Sequence, residues 1–351
     1  MGQIMNKRRK TIIFGVVVVL PLALLSLYFG ICRPLGLYVN ICYDWDELSS
    51  SEQKAIKSAS FEILEKMFAG QYEATWNSSY HLLQESASKE QFKKALQGIQ
   101  PLLTQIDNAE FIDGRLARII GYNGKSHPLL FGLIDVNSPD HLRAQSVAGA
   151  NKSAIAMIRI PSQPITRTVS LQMAKDKGKF KLFRFDITAS SYNGKNGKHY
   201  EQVAENFISK QNLLAGYVAY MMAVKLNQLG PTLKTGYAIK LEERLQMLGK
   251  NEKLANELTR WELPGNNYTL FGIWLLEAQD GILPRVRYLA HDELSDEATP
   301  KEAAALMEYV KTHYPALAEL FDGILFEAYT ENPVNPNKQY RSYRTVLDFK
   351  L

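Results

Sequence analysis

The chain has 351 residues, which is enough for two ordinary domains that each bury a hydrophobic core. Its apolar fraction of 46% and charged fraction of 22% are typical of globular proteins and argue against extensive disorder. Five of the 41 Lys and Arg residues lie in residues 1–33, where no acidic residue occurs, so the other 36 balance the 36 Asp and Glu residues. Nucleic-acid binding needs an excess of positive charge, and the folded part shows none.

Residues 11–31 form an apolar segment without a single charge. A helix of this length extends about 30 Å, which matches the hydrocarbon core of a bilayer. A soluble helix rarely lacks a polar face over six turns, so we predict a transmembrane helix. Four basic residues precede it within residues 1–10 and one follows, which places the N-terminus in the cytoplasm. The bulk of the chain is then extracytoplasmic, behind a single span of the cell inner (plasma) membrane.

The segment is longer than the apolar region of a usual signal peptide, and no A-x-A-like cleavage site follows it. We therefore predict an uncleaved signal anchor. A lipoprotein would carry its acyl chain on Cys32, but the preceding Ile31 is not the small residue that such a site needs. Residues 32–45 form a juxtamembrane linker, and outside the cytoplasm Cys32 and Cys42 could form a disulfide.

Three helices are predicted at the start of the first soluble domain, residues 46–190. Two of them begin with capping boxes, at Ser49-x-x-Glu52 and Ser88-x-x-Gln91, and the helix between them covers residues 71–85. Strands are predicted after the helices. The segment Asp176-Lys177-Gly178-Lys179 indicates a hairpin turn between the last two of these strands. The predicted strands cover residues 111–122, 154–160, 165–173 and 179–188. This order predicts an α+β roll, with three helices on a curved antiparallel sheet.

Residues 61–96 resemble small bacterial extracytoplasmic domains of unknown function in the nuclear transport factor 2-like (cystatin-like α+β roll) superfamily. The resemblance covers residues 46–190. It is carried by Gly70, Tyr72, Trp76, Ser88 and Phe92 and by the final-strand phrase Lys179-Phe180-Lys181-Leu182. The chain departs from the pattern at the polar, Pro-containing insertion between Asn123 and Ala150.

The resemblance implies a cone-shaped cavity but no particular chemistry. Tyr72, Trp76 and Tyr80 follow one another at helical spacing, so they could form the wall of a cavity for an apolar or sugar-like ligand. Phe183 and Asp186 on the last strand complete this set of ligand-binding candidates. The alternative is that the aromatic residues simply pack in the core.

Residues 191–198 are polar and Gly-rich and predict a linker. A helical-hairpin domain with a Pro- and Tyr-rich tail is predicted after it, over residues 199–351. Residues 212–229 are apolar on most sides, as in a central helix, and Thr299-Pro300 predicts a helix start. The succession of short helices is loosely similar to a tetratricopeptide array, although no 34-residue repeat is present. The predicted fold class is thus an α+β roll followed by an all-α domain, behind one transmembrane helix.

No coherent catalytic set emerges from the sequence. Three short motifs match those of penicillin-binding proteins in order, at Ser51 to Lys54, Ser191 to Asn193 and Lys234 to Gly236. The first lies just past the membrane segment rather than inside a transpeptidase domain, so we set this class aside. The six histidines lie far apart and no phosphate-binding glycine loop occurs, so we expect no metal, cofactor or nucleotide.

We therefore expect a non-enzymatic module of the cell envelope that binds a protein or a small apolar ligand. An enzyme acting on an envelope small molecule or glycan inside the cavity remains an alternative. A second alternative is a subunit of a secretion or conjugation apparatus. The type IV secretion assembly factor, which this chain resembles in part, also places a roll of this superfamily behind one N-terminal span.

Overall fold

A computed structural model describes residues 39–102, 106–120, 127–129, 142–144, 146–148, 150–231, 233–278, 281–335 and 337–349. The predicted cytoplasmic tail 1–10, the predicted transmembrane helix 11–31 and Cys32 lie outside these residues. Within the described ranges, no helix has the length and apolar character that crossing a bilayer requires.

The first half of the described chain places four helices on one face of a six-stranded antiparallel sheet, here called sheet 1. The helices are α1 (Ser50–Phe68), α2 (Tyr72–Ser78), α3 (His81–Ser86) and α4 (Lys89–Ile99). The strands, in their order across the sheet, are β1 (Val39–Tyr43), β2 (Glu110–Ile120), β6 (Lys152–Ile160), β7 (Ile165–Asp176), β8 (Lys179–Tyr192) and β9 (Lys195–Asn196). Short strands β3 (His127–Leu129), β4 (Leu142–Ala144) and β5 (Ser146–Ala148) lie between β2 and β6 in the chain.

Most local signals in this half are confirmed. The Ser49 side chain accepts a hydrogen bond from the Glu52 N–H at the start of α1, and the capping box of Ser88 and Gln91 begins α4. The predicted second helix, however, is two helices. It breaks at Tyr80 because the Tyr80 N–H donates to the Leu182 carbonyl of sheet 1 at 2.7 Å, which replaces a helical hydrogen bond.

The predicted linker is an ordered hairpin followed by the start of a helix. Asn193 and Gly194 have φ of 48° and 72°, the left-handed pair that a tight two-residue hairpin turn requires. Tyr192 and Lys195 pair across this turn. The Asn196 side chain then caps the next helix, so residues 191–198 belong to β8, β9, the turn between them and the start of the helix Gly197–Ser209.

The second half is not all-α, so the predicted helical-hairpin domain is wrong. It contains a five-stranded sheet, here called sheet 2, with β11 (Arg260–Leu263), β12 (Asn266–Ala278), β13 (Gly281–Leu289), β14 (Gly323–Tyr329) and β15 (Ser342–Asp348) in that order. Its helices are α5 (Gly197–Ser209), α6 (Leu213–Leu226), α7 (Gly236–Gly249), α8 (Glu252–Thr259), α9 (Ala298–His313) and α10 (Leu317–Leu320), and β10 (Leu233–Thr235) pairs with β4. The fold is therefore mixed α+β with two main sheets.

Sheet 2 combines antiparallel and parallel pairing. Its strands β13 and β14 are parallel and are connected through α9 and α10, whereas the other neighbours are antiparallel. One face of the sheet is covered by helices, with Ile282 and Phe326 in the same core cluster as Leu306 of α9 and Met222 of α6. Along each strand, the residues between these point to the opposite face of the sheet.

Helix α6, which its apolar sequence predicted as a central helix of the second domain, packs against residues of both halves. Eleven of its fourteen residues are buried. The cluster around it also contains Ile165, Ala189 and Tyr192 of sheet 1. On one side of this core, Arg167 of β7 forms an ion pair with Glu277 of β12 at 3.2 Å. The two sheets thus share one core.

Candidate functional site

The five residues predicted to line a cavity do not converge on one site. Tyr72 and Trp76 pack against the core between sheet 1 and helices α1–α4, where the Trp76 ring lies 5.4 Å from Phe92. Tyr80 and Phe183 belong to a separate, smaller cluster. These positions agree with the core-packing alternative for the aromatic residues.

Asp186 lies on the other face of sheet 1, since its neighbour Phe185 packs toward the helices. Its Oδ2 accepts a hydrogen bond from Arg184 Nε at 3.2 Å. Burial raises the pKa of the Asp186 carboxyl above its ordinary value, and the Arg184 charge offsets this only in part. The backbone of Gly230 packs directly against this carboxylate.

Two surface pockets border the helices of the first half. One of about 470 Å³ is lined by Tyr72 together with Glu73, Lys89 and Lys93. A larger groove of about 580 Å³ lies between α1 and the β7–β8 turn. Its lining includes small and apolar residues, among them Ala55, Ala59, Ile63, Phe180 and Leu182. The other four predicted cavity residues line neither pocket.

The most unusual chemistry in the described chain lies on the face of sheet 2 that its helices leave uncovered. We call this surface the arginine–aromatic face. It is defined by Phe271, Trp274, Arg285, Arg287, Glu327, Tyr329 and Arg344. Strand register brings these residues together, since Arg287 pairs with Glu327 and Glu327 pairs with Arg344 across three adjacent strands. In the next row Trp274 pairs with Arg285.

Glu327 is the centre of this face, and its side chain is completely buried. Its Oε1 accepts a hydrogen bond from Arg344 Nε at 2.6 Å, and its Oε2 accepts one from Arg287 Nε at 3.0 Å. Arg285 Nη1 lies 3.8 Å from the same Oε2. One carboxylate therefore gathers three guanidinium groups, and the group carries a formal charge of +2.

The excess of positive charge around Glu327 changes the pKa values of Glu327 and Arg285. Burial raises the pKa of Glu327, but hydrogen bonds from Arg344 and Tyr329 and the charges of Arg344 and Arg285 outweigh it, so the pKa lies below its ordinary value. Burial and the charge of Arg287 lower the pKa of Arg285. Within the ranges that the structure describes, the buried Arg285 Nε has no hydrogen-bond partner. The cluster thus contains more guanidinium donors than its single carboxylate accepts.

Aromatic rings complete the face. The Arg287 guanidinium lies 4.8 Å from the Trp274 ring centroid and 5.8 Å from that of Tyr329, both within the range of cation–π contact. Trp274 can lie over the sheet because of Gly272, where a Cβ would approach the indole to 2.7 Å and φ is +116°. A bulge between Leu270 and Gly272 accompanies this geometry. Trp274 remains 38% exposed and is therefore accessible to a partner.

The remaining sequence candidates have ordinary roles. Lys234 lies on a short strand, contrary to the expectation of a helical context, but its ammonium pairs with Glu242 at 2.6 Å. The Ser51 hydroxyl lies 3.1 Å from that of Ser49 at the start of α1. Cys42 lies on β1, and its predicted disulfide stays a prediction because Cys32 is outside the described residues. No group of three or more potential metal ligands occurs in the part of the chain that the structure describes.

The arginine–aromatic face is not among the predicted sites, because this region of the sequence was predicted to be helical. A strand assignment would have found it, since Leu283, Arg285, Arg287 and Leu289 alternate with buried residues along β13. Glu327 carries no sequence signal of its own, because it lies in a strand that is buried throughout. Comparison of the chain with protein-family models, with curated proteins and with solved structures gave no match.

Proposed function

We propose that this chain is a membrane-anchored extracytoplasmic protein of the cell envelope that binds a negatively charged protein partner through the arginine–aromatic face. The anchor and the location rest on residues 11–31 and their basic flank. The role of the face rests on one observation. Three arginines surround a single buried carboxylate beside a half-exposed tryptophan, on a sheet surface that the described helices do not cover.

The composition of the face supports a protein partner. Trp, Tyr and Arg are the residues that most often dominate the binding energy of protein interfaces. The Arg287 and Arg344 bonds to Glu327 both use Nε, so these bonds do not occupy the terminal NH₂ groups, which can bind a partner carboxylate. A guanidinium can hold a carboxylate through two parallel hydrogen bonds, which gives geometric specificity as well as charge.

Titration of the full-length protein in a non-ionic detergent with fluorescently labelled peptides tests this proposal. We expect a Glu-rich peptide to bind and a Lys-rich peptide of equal length to bind at least about tenfold more weakly, because the face carries surplus positive charge. Added salt weakens the interaction through screening.

Matched variants assign the binding to the face. Arg344→Gln removes one charge and weakens binding of the Glu-rich peptide by about 3–10-fold, which corresponds to about 0.7–1.4 kcal/mol. Arg260→Gln removes an equally exposed charge on β11, outside the face, and leaves affinity unchanged. Equal losses in the two variants, or equal binding of both peptides, would overturn the proposal.

A further inference from the structure

The outer edge of sheet 2 carries a second feature, which concerns strand pairing and has Arg344 in common with the arginine–aromatic face. Strand β15 is the last strand of the sheet, and no other strand that the structure describes pairs with its outer edge. Its seven residues pair with β14 without a bulge. A regular edge of this kind presents unpaired backbone N–H and C=O groups to another strand.

The usual protections of an edge strand are weak in β15. It contains no proline and no lysine, and its one arginine, Arg344, is bonded to Glu327 of the neighbouring strand. Val346 is 56% exposed in the middle of the strand. An exposed β-branched residue on a regular edge is typical of strands that pair with another chain.

The sequence of β15 is complementary to itself in an antiparallel arrangement. If Val346 lies opposite Val346 of a second copy, then Arg344 of each copy lies opposite Asp348 of the other. Thr345 likewise lies opposite Leu347. Arg344, Val346 and Asp348 are all exposed and alternate along the strand, so they share one face. Opposite charges and β-branched pairs directly across a ladder are stabilising.

We propose that two copies of this chain associate through their β15 strands, antiparallel, with Val346 on the two-fold axis. The two five-stranded sheets then form one continuous sheet of ten strands. The arginine–aromatic faces of the two copies lie side by side on the same surface, because strand pairing continues the alternation of faces across the joint. An interface built from the same strand in both copies is the self-complementary type that two-fold dimers use.

Cysteine crosslinking tests the register directly. In full-length protein with both native cysteines replaced by serine, Val346→Cys places two thiols directly opposite each other, at a separation close to that of a disulfide. Ser342→Cys lies on the same exposed face, but its counterpart would be about 20 Å away or more. We expect oxidation to give a covalent dimer of the first variant and none of the second. Crosslinking at neither position, or equally at both, would overturn the proposed register.

A charged residue at the proposed two-fold axis tests whether the two copies associate at all. Val346→Lys places two like charges opposite each other and weakens dimerisation by about tenfold or more. Val334→Lys is the control, because Val334 is 75% exposed and lies outside any strand. Sedimentation velocity in detergent should show dimers for the wild type and Val334→Lys and mainly monomers for Val346→Lys. All three should still unfold in one cooperative thermal transition, with that of Val346→Lys at no higher temperature than that of the wild type. A monomeric wild type, or a Val346→Lys variant that dimerises like the wild type, contradicts the proposal.

Discussion

Glu327 holds the arginine–aromatic face together, because among the described residues its carboxylate is the only negative group that contacts these three guanidinium groups. Replacing it with Gln leaves the arginines in repulsion and removes charge-assisted hydrogen bonds. We predict that Glu327→Gln lowers the free energy of unfolding by about 2–4 kcal/mol at pH 7, measured by urea denaturation. The control Glu262→Gln, at an exposed pair on β11, should change it by less than about 0.5 kcal/mol.

The lowered pKa of the Glu327 carboxylate predicts that the free energy of unfolding depends on pH. Its pKa is lower in the folded state than its ordinary value of 4.5, so the ionised form stabilises the fold. This stabilisation is present above pH 4.5 and is lost as the pH falls through the lowered folded pKa. The difference in unfolding free energy between the wild type and Glu327→Gln should therefore shrink below pH 4.5. A difference that grows on acidification would contradict this assignment.

Gly272 shows how one residue without a side chain positions another. A methyl group there would overlap the Trp274 indole, and its φ of +116° strains any L-residue. We predict that Gly272→Ala moves Trp274 away from Arg287, costs about 1–3 kcal/mol and weakens binding of the Glu-rich peptide. At Gly98 on α4, an added methyl group meets no other atom within 4 Å. Gly98→Ala should therefore raise the free energy of unfolding by about 0.5 kcal/mol. Unchanged fluorescence of Trp274 in Gly272→Ala would show that the ring does not depend on this position.

At the scale of elements, signals that act within a few residues were read correctly from the sequence. The capping box of Ser88 and Gln91 depends only on four neighbouring residues, and the hairpin of β7 and β8 depends on the Lys177-Gly178 turn. The break at Tyr80 could not be predicted, because it depends on a hydrogen bond to Leu182, about a hundred residues away in the chain. A tertiary contact therefore determines where this helix ends.

Sheet 2 was missed for a different reason. Strand β12 is a nearly continuous run of apolar and aromatic residues, from Tyr268 to Leu276, and a run of this kind does not show the alternation by which strands are recognised. Its length is also compatible with a helix. Pro264 and Gly265 form the turn between β11 and β12, but a turn of this kind is equally compatible with two helices. Because sheet 2 was not predicted, the arginine–aromatic face on it was not predicted either.

Helix α6 is the element on which both sheets depend. Met222 is fully buried within it, so truncation leaves a cavity between the sheets. We predict that Met222→Ala lowers the free energy of unfolding by about 2–4 kcal/mol. Met247→Ala, at a residue of α7 that is 63% exposed, should change it by less than about 0.5 kcal/mol. Comparable effects in the two variants would contradict the central position of α6.

At the scale of the whole molecule, the two halves predicted from the sequence share a core. Ile165, Ala189 and Tyr192 of sheet 1 pack in the same cluster as α6, so separating the halves exposes apolar surface on both. We predict one cooperative unfolding transition that coincides by circular dichroism and by tryptophan fluorescence. A chain ending at residue 198 should lack this transition. Two separate transitions would show that the halves fold independently.

Deletion of residues 199–351 is therefore unsuited to locating a partner, because it removes α6 as well as the candidate face. Site-specific photo-crosslinking in living cells avoids this, since it leaves the fold intact. A photoreactive amino acid at position 274 probes the arginine–aromatic face, and the same group at position 247 probes a more exposed surface of α7.

This crosslinking comparison is the measurement that tests the proposed function most directly. We predict a discrete adduct with an envelope protein at position 274, none at position 247, and loss of the first adduct when Arg344→Gln is added. The partner surface, once identified, should be acidic. Absence of an adduct at position 274, or the same adduct at both positions, would contradict a binding role for this face.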